Sequence, residues 1–137
     1  MADLTVTAAK VAPVFPDQAE IRTFIAAAAI TAGQPVYINT SGKVDLADAN
    51  TAAAEHFRGI ALESVGAGQP VSILRRGEVY GFDLSGVAFD AQVFVSDTAG
   101  SLADAAGTTS LVAGRCQPLA DSVNINKVLM INSIGIA

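Results

Sequence analysis

The sequence predicts a mainly β protein, built as a small antiparallel β-sandwich or barrel with one short helix and an extended N-terminal arm. The phrase Ala-Gly-Gln-Pro-Val occurs twice, at residues 32–36 and 67–71, each time before a short apolar run. The apolar residues are mostly Val, Ile, Leu and Ala, with no Trp, so the core is expected to consist of small side chains. With 137 residues, the chain suffices for one domain.

Residues 1–20 differ from the rest and are predicted to form the extended arm, followed by a single β domain at residues 21–137. Pro13 and Pro16 each lack a backbone donor and hold the preceding residue in an extended conformation. An extended segment with apolar side chains needs a surface, either on a partner or on its own domain. The predicted contact residues of the arm are Leu4, Val6, Val11, Val14 and Phe15.

Residues 20–30 begin with mixed polar and apolar side chains and then run apolar, which predicts a strand that enters the core. The Ala run at residues 26–29 is equally compatible with a helix. The flanking β-branched and aromatic residues, and the Gly-Gln-Pro turn that follows, favour the strand.

The repeated phrase predicts a turn followed by a strand. Residues 30–38 are echoed by residues 65–73, and a weaker third copy lies at residues 89–95. Gly permits a positive φ in the turn, and Pro at the first strand position removes no ladder hydrogen bond. Hairpin-like returns after the copies indicate short antiparallel strands. Further strands are predicted at residues 58–63, 115–120 and 127–132.

Residues 45–56 are rich in Ala and predict the one short helix, with a long loop as the alternative. Asp45, Asp48 and Asn50 in this segment carry the oxygen ligands that calcium prefers, but the spacing of an EF-hand loop is missing. A solvated acidic loop is therefore the expected role.

Charge and hydropathy limit the possible partners. The net charge of −5 disfavours contact with phosphate backbones, so we expect no nucleic-acid partner. The apolar runs are far shorter than the roughly 20 residues of a membrane-spanning helix, and we expect no membrane partner. The N-terminus lacks the features of a signal peptide, which predicts a cytoplasmic site of synthesis. Arg75 and Arg76, an adjacent basic pair, are contact candidates, although a solvated strand end is the commoner role.

The titratable residues do not indicate an enzyme. The chain has one His and one Cys, His56 and Cys116, and nothing in the local sequence supports a nucleophile–base pair between them. A metal site needs more ligands than one His supplies. We therefore expect no catalytic residues, no cofactor and no metal.

A series of phrases extends along the chain. They are ADLTVTAA at residues 2–9, ITAGQPVYI at 30–38, GKV at 42–44, LADA at 46–49, RGIAL at 58–62, AGQPV at 67–71, VFVSDTAGSL at 93–102 and INSIGIA at 131–137. In order and spacing they resemble the small capsid decoration, or cement, proteins of tailed bacteriophages. The resemblance spans most of the chain and lies in many weak phrases rather than in one catalytic motif.

The resemblance implies a β-tulip-like domain on the outer face of the assembled head, with an N-terminal arm that reaches capsid subunits. It implies a non-enzymatic protein of the virion surface that stabilises the head by bridging subunits of the major capsid protein. Its expected partners are that protein and further copies of itself, in a homotrimer. The alternatives are another virion component, such as a head-fibre base or tail protein, and a small β-barrel ligand-binding module.

Overall fold

The computed structural model describes residues 2–52, 56–120 and 123–133 of the chain. In these ranges the backbone forms short antiparallel strands and two 3-10 turns, which confirms the mainly β prediction. The strands are β1 (Ala12–Pro13), β2 (Glu20–Ile25), β3 (Pro35–Ile38), β4 (Val44–Leu46), β5 (Gly59–Ala61), β6 (Pro70–Tyr80), β7 (Gln92–Val95), β8 (Leu102–Ala103), β9 (Val112–Ala120) and β10 (Ile125–Asn132); the turns span Ala8–Lys10 and Pro16–Gln18.

Strand β6 organises the sheet because it has partners on both edges. Arg76 of β6 lies opposite Glu20 of β2 and also opposite Asn132 of β10. Leu74 is shared in the same way between β2 and β5, and Val79 between β1 and β10. A residue that pairs with two strands has them on opposite edges. Therefore β1 and β2 follow one edge of β6, and β5 and β10 follow the other.

The sheet curls around two buried clusters. A parallel bridge between Ala26 and Val44 joins the end of β2 to β4 and closes the curl around the smaller cluster. Full burial of one Val, Leu or Ile side chain contributes about 1.5–3 kcal/mol, so both clusters stabilise the curl. The smaller cluster contains Ala26, Ile30, Val36, Val44, Ala61, Val71 and Ile73. The larger includes Val11, Phe57, Ile60, Leu74, Val79, Val93, Val95, Leu102, Cys116, Leu129 and Ile131.

The repeated phrase forms a turn and a strand at both copies, as predicted. Pro35 is the first residue of β3 and Pro70 the first residue of β6. The turns before them contain Gly33 at φ +92° and Gly68 at φ +81°, backbone conformations that favour glycine. The predicted strands near residues 58–63, 89–95, 115–120 and 127–132 correspond to β5, β7, β9 and β10.

The strand predicted at residues 20–30 is shorter than expected. It ends at Ile25 because the next two residues change partners: the Ala26 N–H donates to the Gln69 carbonyl (2.9 Å), and the Ala27 N–H donates to the Val44 carbonyl (2.8 Å). The Ala run thus carries the chain from β6 towards β4.

The helix predicted at residues 45–56 is wrong for the described part of that segment. Val44–Leu46 forms β4, and residues 47–52 contain no α-helix. The Asp48 carboxylate accepts hydrogen bonds from the backbone N–H groups of Asn50 (2.9 Å) and Thr51 (2.6 Å), which gives the backbone a non-helical partner. Residues 53–55 lie outside the described residues.

Candidate interaction surface

The predicted contact residues of the arm fall into two groups. Val11 belongs to the larger cluster with 8% exposure, and Leu4 and Val6 pack against that cluster. These three side chains therefore contact their own domain, which corrects the expectation that they are available to a partner. Val14 and Phe15 remain accessible, Phe15 at 45% exposure.

The backbone of residues 2–7 explains why the first group faces inwards. The Leu4 N–H donates to the Leu102 carbonyl of β8, and the Thr7 N–H donates to the Gly81 carbonyl just after β6, both at 2.8 Å. This segment therefore lies between β8 and the chain that leaves β6, and it covers backbone groups that would otherwise form open edges. The arm is part of the curled sheet rather than a separate segment.

Phe15 is held in place by the backbone on both sides. The Val14 N–H donates to the Glu78 carbonyl of β6 at 2.9 Å. After Phe15, Pro16 begins a 3-10 turn that is closed by the Ala19 N–H and the Pro16 carbonyl at 3.3 Å. The ring is therefore presented from a fixed turn, which lowers the entropy that binding would cost.

Beside Phe15, the outer face of β6, β9 and β10 forms a shallow groove. Side chains alternate between the two faces of a strand, so Leu129 and Cys116 enter the larger cluster while Met130 faces outwards. Met130 lines three adjoining depressions on this face. We define the outer groove as the surface lined by Phe15, Tyr80, Gln117, Leu119 and Met130.

The rim of the outer groove is aromatic. Tyr80 is 48% exposed, comparable to Phe15, and Val14 and Leu119 add aliphatic surface beside it. Large apolar side chains grouped on one exposed face mark a surface that a partner covers. Aromatic residues in such a position often supply much of the binding energy.

Charged residues lie at both ends of the outer groove. Arg76 lines a depression at one end together with Asp17 and Glu20. Lys127 lines the other end, where its ammonium group donates to the carbonyls of Leu84 and Val87. Arg75, the other basic contact candidate, does not line these depressions, and its Nε atom is buried without a hydrogen-bond partner among the described residues. The two arginines separate because consecutive strand residues face opposite sides of a sheet.

The residues that the sequence offered as nucleophile or metal ligands, His56, Cys116, Asp45 and Asp48, do not line the outer groove. Within the described residues, no three His, Cys, Asp or Glu side chains are grouped so that they could hold a metal ion. His56 is exposed and Cys116 is buried. The Asp45 carboxylate accepts the Leu46 N–H at 2.8 Å. No helix in the described ranges has the length and apolar character to span a bilayer.

The buried Cys116 thiol predicts a pH dependence of stability. Burial raises the pKa of this thiol, and Lys127 partly offsets the rise. Because the folded state holds the proton to higher pH than the unfolded state, stability is complete below the unfolded pKa of about 8.5 and falls as pH rises above it. We expect the free energy of unfolding to fall more steeply above that pH in the natural chain than in Cys116→Val. Denaturant unfolding at a series of pH values measures both slopes, and equal slopes would contradict the assignment.

Sequence reasoning missed four residues of the outer groove: Tyr80, Gln117, Leu119 and Met130. Gln117, Leu119 and Met130 lie in segments correctly predicted as strands, at outward positions. Tyr80 lies at the end of β6, which continues from Pro70 to Tyr80 where a hairpin-like return was expected after the second copy, so that expectation was wrong. Alternation within β9 and β10 separates Leu119 and Met130 from the buried Cys116 and Leu129. That alternation was the available signal.

No protein-family model matches this chain, and no curated protein matches it either. The choice of the outer groove as the candidate interaction surface therefore rests on its geometry alone. It combines an apolar floor at Met130, an aromatic rim and charged ends.

Proposed function

We propose that the protein decorates the head of a tailed bacteriophage, where it binds the outer face of the assembled capsid and bridges subunits of the major capsid protein. The resemblance along most of the chain supports this function. The observation that carries it is the outer groove, where Phe15 and Tyr80 are about half exposed above an apolar floor. An exposed apolar surface of this kind marks a binding site for another protein, and the subunits of a capsid lattice would offer many copies of one partner surface.

Decoration stabilises a shell by mass action. A protein that binds only assembled subunits lowers the free energy of the assembled state, because its contacts must be lost before the subunits separate. Many copies with modest individual contacts add up on one particle. In this proposal the partners are the major capsid protein and further copies of this chain, in a homotrimer, at the outer surface of the virion.

The outer groove supplies affinity and the charged ends supply orientation. Burial of Phe15, Tyr80 and Met130 under a capsid segment removes apolar surface from water. The two ends differ in charge, since Asp17 and Glu20 outnumber Arg76 at one end while Lys127 lies at the other, and this difference favours one direction for such a segment.

Phe15→Asp should weaken binding to expanded empty heads by roughly 10- to 100-fold, because it removes an aromatic anchor and places a charge in the outer groove. Co-sedimentation of the purified protein with the heads measures binding. The matched control is Ile38→Asp on β3, whose side chain is 40% exposed and lies outside the outer groove. Both variants should keep the circular dichroism spectrum of the natural chain.

Two results would overturn the proposal. One is that Phe15→Asp binds expanded heads as well as Ile38→Asp does. The other is that the natural chain does not bind heads and instead sediments with purified tails, which would identify a tail component.

A further inference from the structure

The two copies of the repeated phrase belong to two larger units that interlock. We define the first unit as residues 24–38 and the second unit as residues 59–73, so that each position of the first has an equivalent 35 residues later. Ile30 and its equivalent Val65 each donate their N–H to the carbonyl of the other, at 3.0 and 2.8 Å. Because each residue pairs with its own equivalent, the two units are related by an approximate twofold axis between them.

The backbone contacts between the units also occur in equivalent pairs. Ile25 lies opposite Pro70, and the equivalent residues Ile60 and Pro35 lie opposite each other. In each unit the side-chain oxygen of the turn Gln accepts the backbone N–H of the residue three positions before it, at 2.9 Å. The repeated phrase therefore has the same local structure in both units, and the units differ in what surrounds them.

Two surfaces of identical composition lie at equivalent places in the units. Each contains the Ala, Gly and Pro of the repeated phrase and the Ile that lies opposite the Pro. All four residues are buried in the first turn surface, and all four are exposed in the second. The first turn surface consists of Ala32, Gly33, Pro35 and Ile60, and the second turn surface consists of Ala67, Gly68, Pro70 and Ile25.

The N-terminal segment of the chain covers the first turn surface. A Cβ atom built on Gly33 would lie 2.5 Å from Val6 Cγ2 and 3.3 Å from Val11 Cγ2. Val6 forms an antiparallel bridge with Phe82, so the cover is an extended segment that carries β-branched side chains. Around the same position on Gly68, the described residues leave open space within 4 Å apart from the chain neighbours. The second turn surface therefore has the composition and backbone geometry of a surface that is covered elsewhere in the same molecule.

We propose that the second turn surface binds an extended segment of the major capsid protein that carries β-branched apolar side chains. The chemistry of this segment follows from the one that covers the first turn surface, and its source rests on the proposed function. A protein that bridges two subunits needs two separate contact surfaces, and the outer groove supplies one. Pro70 and Tyr80 are the two ends of β6, so the two surfaces lie up to about 33 Å apart along that strand. Contacts at both ends of β6 link two capsid subunits through one copy of this chain.

Photo-cross-linking at Ala67 tests the occupant. A benzophenone amino acid replaces Ala67, and the protein is irradiated after it has bound expanded heads. The product should join this chain to the major capsid protein. The matched control carries the same amino acid in place of Ser41, an exposed turn residue outside both turn surfaces, and should give little product. Equal yields from the two positions, or a product that joins two copies of this chain, would overturn the proposal.

A pair of matched substitutions tests the bridging role. Ile25 and Ile38 are 39% and 40% exposed, and Ile38 lies outside the second turn surface and the outer groove. Ile25→Asp should still bind heads through the outer groove, but heads saturated with it should lose their shells at the temperature of bare heads. Heads saturated with Ile38→Asp should be as heat-stable as heads that carry the natural chain. Both free variants should keep the circular dichroism spectrum of the natural chain.

Two results separate this inference from the proposed function. If the natural chain binds and stabilises heads and Ile25→Asp stabilises them equally, the second contact is wrong and the proposed function stands. If the natural chain does not bind heads at all, the proposed function and the second contact are both overturned.

Discussion

Deletion of residues 1–11 should prevent the domain from folding, rather than leave a folded domain without its arm. Val11 belongs to the larger cluster, and Leu4 and Val6 pack against it. Burial of each such side chain contributes about 1.5–3 kcal/mol when complete, while the whole domain is expected to be stable by about 5–15 kcal/mol. The deletion also removes the backbone bonds that Leu4 and Thr7 make at the edges of the sheet. Thermal unfolding followed by near-ultraviolet circular dichroism measures the effect.

Substitutions at two neighbouring positions distinguish the effect of lost core packing from the effect of a shorter chain. Val11→Asp places a charge in the larger cluster and should reproduce the effect of the deletion. Ala12→Asp, at the adjacent exposed position, should unfold near the temperature of the natural chain. A truncated chain that unfolds cooperatively at that temperature would show that the arm is dispensable for the fold.

The apolar residues of the arm were evident in the sequence, but the surface that they cover was not. The same pattern at Leu4 and Val6 fits an arm that binds a partner and a strand that completes its own sheet. Asp3 pairs with Ala103, about a hundred residues away, and Val6 pairs with Phe82. Such distant pairings leave no local signal, whereas the turn and strand of the repeated phrase depend on residues within a few positions of each other.

The incorrect helix shows a limit of composition. Ala favours helices when propensity decides the structure. Ala47 and Ala49 are instead fully buried, where a small side chain meets a packing requirement. The carboxylate of Asp48 between them bonds the following backbone, so tertiary packing and a local side-chain bond override propensity.

The candidate surface could be predicted only in part. Val14 and Phe15 were proposed as contact residues, and the structure leaves them accessible beside the outer groove. Tyr80 and Met130 come from strands that are distant in sequence, so their proximity to Phe15 depends on the curl of the sheet. Alternation predicts which residues face outwards, but it does not predict which outward face remains uncovered.

Gly59→Ala should lower the free energy of unfolding by about 2–6 kcal/mol, the sum of two separate effects. Gly59 has φ +142°, a conformation that L residues rarely adopt, and such strain costs about 1–3 kcal/mol. The added Cβ would also lie 2.5 Å from the Leu74 carbonyl oxygen and 2.6 Å from Ile73 Cγ2, and overpacking costs about 1–3 kcal/mol. Denaturant unfolding measures the sum.

Two control glycines separate these effects. Gly42 has φ +80° but open space around its Cα, so Gly42→Ala carries only the strain. Gly86 has neither feature, and Gly86→Ala should be close to neutral. Since Gly59 lies where β3, β5 and β6 meet, β5 must move away from β6 to admit a methyl group, and both buried clusters then loosen together. If Gly59→Ala were no more destabilising than Gly42→Ala, the close approach of β5 to β6 would be wrong.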